Sequence, residues 1–197
     1  MKRNIFLVFS VLAISGSMLL GSYISSLRHG SEKHFEDGTV LAPPQSLEGL
    51  RLLDSQGSLV DQNSFKGRWT LLTFGFTHCP DVCPVTLAYL KGELDHLPQD
   101  RFEVRFVSVD PDMDSPADVE NFVKAFDKRM RGYLAPQDSL PTMERLFGLY
   151  AKKNPDGTLS HSNAIFVINP DGQWVAVYNK APQKGVVAKE LKRIALR

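Results

Sequence analysis

The chain has 197 residues, 43% of them hydrophobic, and a formal net charge of +1, which suits one globular domain with an appendage. Positive and negative charges are mixed without a basic stripe, so no nucleic-acid partner is expected. Two cysteines are too few for a four-cysteine zinc site or a disulfide scaffold within one chain.

The appendage comes first. Lys2 and Arg3 precede an uncharged run over residues 4–27, with IFLVFSVLAISGSMLLGSYI at its heart. As a helix this segment spans about 30 Å, the thickness of a bilayer core. Basic residues before it and a long polar chain after it place the N-terminus in the cytoplasm and export the rest. A cleaved signal peptide is the competing reading, with residues 5–14 as its apolar core and Ser15-Gly16-Ser17 near the cut. The run continues through Met18, Leu19 and Leu20, which argues for an uncleaved single-pass anchor over residues 1–27. A short leader without a long Arg- and Ser-rich presequence points to a bacterial inner membrane and a periplasmic domain, rather than a mitochondrial inner membrane. Residues 28–46 turn polar and end in Ala42-Pro43-Pro44, which reads as a linker; His29 and His34 lie in it as solvated side chains.

The domain is expected over residues 47–197. Residues 50–53 and 58–60 flank the turn Asp54-Ser55-Gln56-Gly57 as an N-terminal hairpin extension, followed by a short helical turn over 61–67. Residues 69–76 form an apolar run with a single glycine, which reads as a buried strand. Beyond it, Leu87, Leu90, Leu94 and Leu97 recur at helical spacing. Pro84 sits comfortably only in the first helical turn, so the helix opens close to Cys83. A second buried strand runs through Val104, Phe106, Val107 and Val109. Ser115-Pro116 then caps a helix whose apolar face is Val119, Phe122, Val123 and Phe126.

An irregular stretch holds Gly132, Pro136 and Pro141, and a short helix uses Met143, Leu146, Phe147 and Tyr150. Residues 164–168 and 174–178 flank Asn169-Pro170-Asp171-Gly172, an antiparallel hairpin signal. An amphipathic helix over 184–197 closes the chain. Two strands joined by a helix imply parallel pairing. The order β-α-β, α, β-β-α is that of an α/β, thioredoxin-like domain, in which the loop entering the third core strand packs beside the first strand-to-helix turn.

Both cysteines, Cys79 and Cys83, lie on that turn, within LLTFGFTHCPDVCP. Four residues of turn or helix bring their Cα atoms to about 6 Å, close enough for a disulfide or a shared metal. A helix N-terminus favours thiolate. The loop expected beside them ends in Leu159-Ser160-His161-Ser162-Asn163, so His161 is the distant residue placed to meet the cysteines. Two thiolates and an imidazole form a soft set suited to copper, with zinc as a chemical rival that usually takes a fourth ligand. In an oxidising compartment Cys79 and Cys83 can instead close a disulfide, which couples metal loading to redox state. His78 follows a buried strand and points away from its neighbour, so it reads as an outer residue of the site. Asp110 ends the second strand and can face the site. The run Asp110, Asp112, Asp114 lacks the glycine and the final glutamate of a calcium loop, and reads as a turn and helix cap.

FGFTHCPDVCP over residues 74–84 resembles the signature of the Sco family, the SCO/SenC copper proteins required to assemble cytochrome c oxidase. The resemblance extends to Gly67-Arg68-Trp69, to VSVDP over 107–111 and to the histidine–strand–NPDG segment over 161–172. It implies a thioredoxin-like fold and one copper ion, Cu(I) or Cu(II), held by Cys79, Cys83 and His161. It also implies delivery to the binuclear copper site of oxidase subunit II or reduction of that site's cysteines, with a thioredoxin-like reductant or another copper donor as a further partner. Two positions depart from the family pattern: Ser160 stands where an acidic residue often precedes the late histidine, and Met113 where an Arg is usual.

A general thiol–disulfide oxidoreductase carries C-x-x-C, whereas the residue three after Cys79 is Val82. A peroxiredoxin-like peroxidase needs a hydroxyl residue three before its reactive cysteine, and Phe76 and Pro80 occupy those places. A metallochaperone is therefore the first expectation, and a membrane-anchored thiol reductase the second.

Overall fold

The computed structural model describes residues 35, 37–149, 151–153, 159–161 and 163–195, so the expected anchor and residues 28–34 of the expected linker lie outside the described residues. In chain order the strands are β1 (Thr39–Ser46), β2 (Arg51–Leu53), β3 (Leu59–Asp61), β4 (Trp69–Gly75), β5 (Phe102–Ser108), β6 (Met130–Leu134), β7 (Ala151–Lys153), β8 (Leu159–His161), β9 (Ile165–Ile168) and β10 (Gln173–Tyr178). The helices are α1 (Val82–Leu94), α2 (Pro116–Lys124), α3 (Leu140–Phe147) and α4 (Val186–Ala195). No helix among the described residues is long and apolar enough to cross a membrane.

β4 and β5 are wholly buried because both faces of the sheet are covered, which is why they read as continuous apolar runs. Alternate side chains feed two cores. Leu71, Val104 and Phe106 pack with Leu87 and Leu90 of α1, Val119 and Val123 of α2, and Val187 and Leu191 of α4. Leu72, Phe74 and Val107 pack on the other face with Met143 and Phe147 of α3 and Phe166 of β9. β5 runs parallel to both β4 and β6, while β9 pairs antiparallel with β4 and with β10. The eight-stranded order is β1-β10-β9-β4-β5-β6-β2-β3. β4 is thus central, and its C-terminal end delivers the chain to the cysteines.

Three elements differ from the sequence expectation. Residues 39–46, expected as the end of the linker, form β1, an antiparallel edge strand on β10. Pro43 and Pro44 are tolerated there because the pairing shifts register between Val40 and Gln45, and an edge strand leaves part of its backbone unpaired. The stretch around Gly132, expected to be irregular, is the parallel strand β6. Its glycine is set by packing: a Cβ at Gly132 would lie 2.6 Å from the backbone of Val119 and Glu120 in α2. The loop expected to carry His161 is instead a small hairpin, β7–β8, with His161 opposite Ala151 at its open end.

Candidate metal centre

The turn that carries the cysteines is built by the start of α1. Pro84 has no N–H to satisfy, and the Asp81 side chain makes no cap bond. The Cys83 N–H donates instead to the Cys79 sulfur at 3.4 Å, so Cys79 occupies the place of a cap and its sulfur stays beside Cys83. Both residues are thiols, Cys79 half-buried and Cys83 buried. A Cβ at Gly75 would stand 2.5 Å from the Cys83 sulfur, so the missing side chain is what lets that sulfur approach the end of β4. Burial, reinforced by the hydrogen bond with Cys79, pushes the Cys83 thiol well above its ordinary value. At Cys83 this outweighs the expected pull of the helix N-terminus toward thiolate, and metal binding there must displace a proton.

A second segment is tied to the same place. The Thr86 hydroxyl, one helical turn beyond Cys83, donates to Asn163 Oδ1 at 3.0 Å. The buried Thr73 hydroxyl of β4 donates to the Ala164 carbonyl at 3.1 Å. Each such bond contributes about 1 kcal/mol and fixes where the chain after β8 enters the core. Asn163 follows His161 by two residues, so their Cα atoms are at most about 7 Å apart. The His161 side chain lies outside the described residues. Among the described residues, no three His, Cys, Asp or Glu side chains gather as a metal site.

An acidic side chain that meets the cysteine turn among the described contacts is Asp114. Asp114 is buried, and its oxygens accept the Thr77 N–H at 3.0 Å, the Thr77 hydroxyl at 2.5 Å and the Ser108 hydroxyl at 2.5 Å. Asp110 serves the turn through its carbonyl, which accepts the N–H groups of Met113 and Asp114. The only hint in the sequence was the run of alternate aspartates, which does not say which one turns inward. His78 lies across Asp114 as well, with Nδ1 3.0 Å from Thr77 Oγ1 and 3.4 Å from Asp114 Oδ1, and its side chain is 65% exposed. Met113, directly before Asp114 in the chain, is exposed.

A central sheet of parallel and antiparallel strands, helices on both faces and two cysteines at the turn after β4 make this a thioredoxin-like domain with a dithiol site. The chain belongs to the SCO1/SenC family, whose model matches residues 43–196. It is 33% identical over 152 residues to the mitochondrial SCO2 homologue of Danio rerio, covering 73% of this chain and 54% of that protein. The chain therefore spans about half the length of that relative. Among solved structures, apo Sco1 from Thermus thermophilus matches with a TM-score of 0.68 at 32% identity, over 82% of this chain and 95% of that one. ScoI from Bradyrhizobium japonicum, solved with copper bound, matches with a TM-score of 0.64 at 33% identity, over 76% and 96% of the two chains.

Proposed function

We propose that this protein is a copper metallochaperone that takes one copper ion through Cys79, Cys83 and His161 and passes it to cytochrome c oxidase, at the binuclear site of subunit II. The observation that carries the reading is the Thr86–Asn163 hydrogen bond, which ties the chain two residues beyond His161 to the helix that carries Cys83. The donor set fits copper: two sulfurs on one turn offer soft ligands, and an imidazole suits either oxidation state. Copper bound to the Bradyrhizobium relative supports the same cargo. Three ligands leave room for an incoming donor atom, so copper can leave by ligand exchange. In this reading residues 1–27 anchor the domain to the inner membrane, a linker that begins at residue 28 joins the two, and the domain works in the periplasm.

A second reading rests on the unequal burial of the two thiols. The half-buried Cys79 can attack a disulfide of the subunit II site, and the buried Cys83 can then displace the mixed disulfide. The partner gains two thiols, this chain keeps a Cys79–Cys83 disulfide, and a thioredoxin-like reductant restores it.

Anaerobic titration of the reduced chain with Cu(I) against a competing chelator separates the two. One tightly held copper, lost or much weakened in Cys83→Ser and His161→Ala, is the expected result. Binding by His161→Ala as tight as the wild type, or no copper held in competition, overturns the chaperone reading and leaves the thiol reductase to be tested.

A further inference from the structure

We infer that Asp114 is the positioning residue of the cysteine turn: a buried carboxylate that pins Thr77 to the end of β5 and so fixes where the Cys79 sulfur stands against Cys83. What the turn then holds rests on the copper reading above; the geometry of the tie does not.

β4 and β5 end side by side, with Gly75 opposite Ser108. Beyond Gly75 the chain turns at once. The Cys79 N–H donates to the Phe76 carbonyl at 3.3 Å, which makes residues 76–79 a four-residue turn with Thr77 at its first corner. Thr77 gives Asp114 both of its donors, the N–H at 3.0 Å and the hydroxyl at 2.5 Å. The Ser108 hydroxyl donates to the same carboxylate from the last residue of β5. At the far end of the turn the Cys79 sulfur accepts the Cys83 N–H at 3.4 Å, which joins it to α1. An unbroken series of contacts therefore runs from Ser108 through Asp114 and Thr77 to Cys79 and Cys83.

Asp114 is built to impose a direction. Its side chain is fully buried, and a carboxylate is tolerated there because the donors of Thr77 and Ser108 meet it. Its stem is fixed as well: the Asp114 N–H donates to the Asp110 carbonyl at 2.9 Å, and Ser115, next in the chain, caps α2. A charged acceptor on such a stem holds its donors more firmly than a neutral one, and both donors of Thr77 must point at it. Cys79 lies two residues further on, so the corner cannot swing without carrying its sulfur away from the Cys83 N–H. Metal sites tolerate shifts of only about 0.2 Å in their ligand distances, which makes the aim of this turn a condition of binding.

Two quantities measured on the protein test this: Cu(I) affinity of the reduced chain in competition with a chelator, and the Cys79–Cys83 dithiol–disulfide equilibrium in buffers of reduced and oxidised glutathione. The second needs no copper. Asp114→Ala and Thr77→Val should weaken Cu(I) binding by about 10- to 100-fold, the range for residues that orient metal ligands. Both should move the equilibrium about tenfold toward the dithiol, because a loosened turn brings the two sulfurs together less often. Thr77→Ser keeps the hydroxyl and should keep both wild-type values. Gly132→Ala, which strains the scaffold where α2 meets β6, should leave both unchanged per folded molecule, so lost stability alone does not mimic the effect. If Asp114→Ala does not fold, Thr77→Val against Thr77→Ser decides. A wild-type value of either quantity in the folded variants, or an equal loss in Gly132→Ala, overturns the assignment. A wild type that holds no copper in competition overturns the copper reading instead, and the disulfide equilibrium then decides the role of Asp114 by itself.

Discussion

Gly75→Ala probes how closely the site depends on the end of β4. The added Cβ would sit 2.5 Å from Cys83 Sγ and 2.7 and 2.9 Å from two atoms of the Phe106 ring. Ordinary contacts between such atoms are about 3.5–4.0 Å, so roughly 1 Å of separation must be found. Neither neighbour can supply it cheaply. Phe106 is 1% exposed and packs against Phe122 at 5.7 Å between ring centres, while Cys83 is held in the first turn of α1. Overpacking of this kind costs about 1–3 kcal/mol. The loss of glycine's freedom in the unfolded chain offsets about 0.4–1 kcal/mol. A net loss of roughly 1–2 kcal/mol corresponds to a fall of about 3–6 °C in Tm for a domain of this size.

The effect on copper should exceed the effect on folding, because metal–ligand distances tolerate shifts of only about 0.2 Å. Thermal unfolding and Cu(I) competition on the same preparation give both quantities. Phe106→Leu in the Gly75→Ala background should recover part of the stability, as a positive coupling in a double-mutant cycle. Wild-type Tm together with wild-type Cu(I) affinity in Gly75→Ala would refute the close approach of the sulfur to β4.

Two further predictions separate the scaffold from the site and the acid range from the neutral one. Gly132→Ala meets the backbone of α2 at 2.6 Å and disturbs the Gly132 N–H bond to Glu120; a loss of about 2–3 kcal/mol in urea unfolding is expected, with Cu(I) affinity per folded molecule unchanged. Asp127 is bonded twice by the Arg129 side chain and once by its N–H, Arg129 also donates to the Leu94 carbonyl at the end of α1, and the Arg129 side-chain hydrogen bond holds the Asp127 carboxyl below the usual aspartate range. Its folded value lies below its unfolded one, so this pair stabilises the protein above the ordinary aspartate value of about 3.9, and the gain disappears as pH falls through the lower folded value. Asp127→Asn should therefore cost on the order of 1 kcal/mol at pH 7, with the difference from wild type shrinking below about pH 4. A difference that persists undiminished at the lowest pH at which the chain still folds would exclude the pair as its source.

The chain's local chemistry determined a good deal by itself. The apolar run over 69–76, Pro84 and the leucines at helical spacing specify a buried strand, a turn and a helix, and β4 and α1 stand where those signals put them. Ser115 caps α2, accepting the Asp118 N–H, as its place before Pro116 implies. Asn169 closes the β9–β10 hairpin through its own side chain. In each case the forces act within a few residues, so they are written in neighbouring letters. The cysteine signature is equally local, which is why the family could be recognised from residues 74–84 and is matched over residues 43–196.

What the tertiary structure decided depends on partners far along the chain. β1 was hidden because its prolines suit a linker as well as an edge, and only β10, more than a hundred residues later, gives them a ladder. β6 was hidden because Gly132 breaks a strand pattern, yet the glycine is demanded by α2 lying against it. Asp110 and Asp114 stand in the same alternating run, and the sequence does not say which of its members is buried. Asp114 is buried, held by hydroxyl and N–H donors from Thr77, 37 residues earlier in the chain, and by the Ser108 hydroxyl. Charge and spacing mark a carboxylate as available. Only the packed fold determines which one is drawn out of water and what it then holds in place.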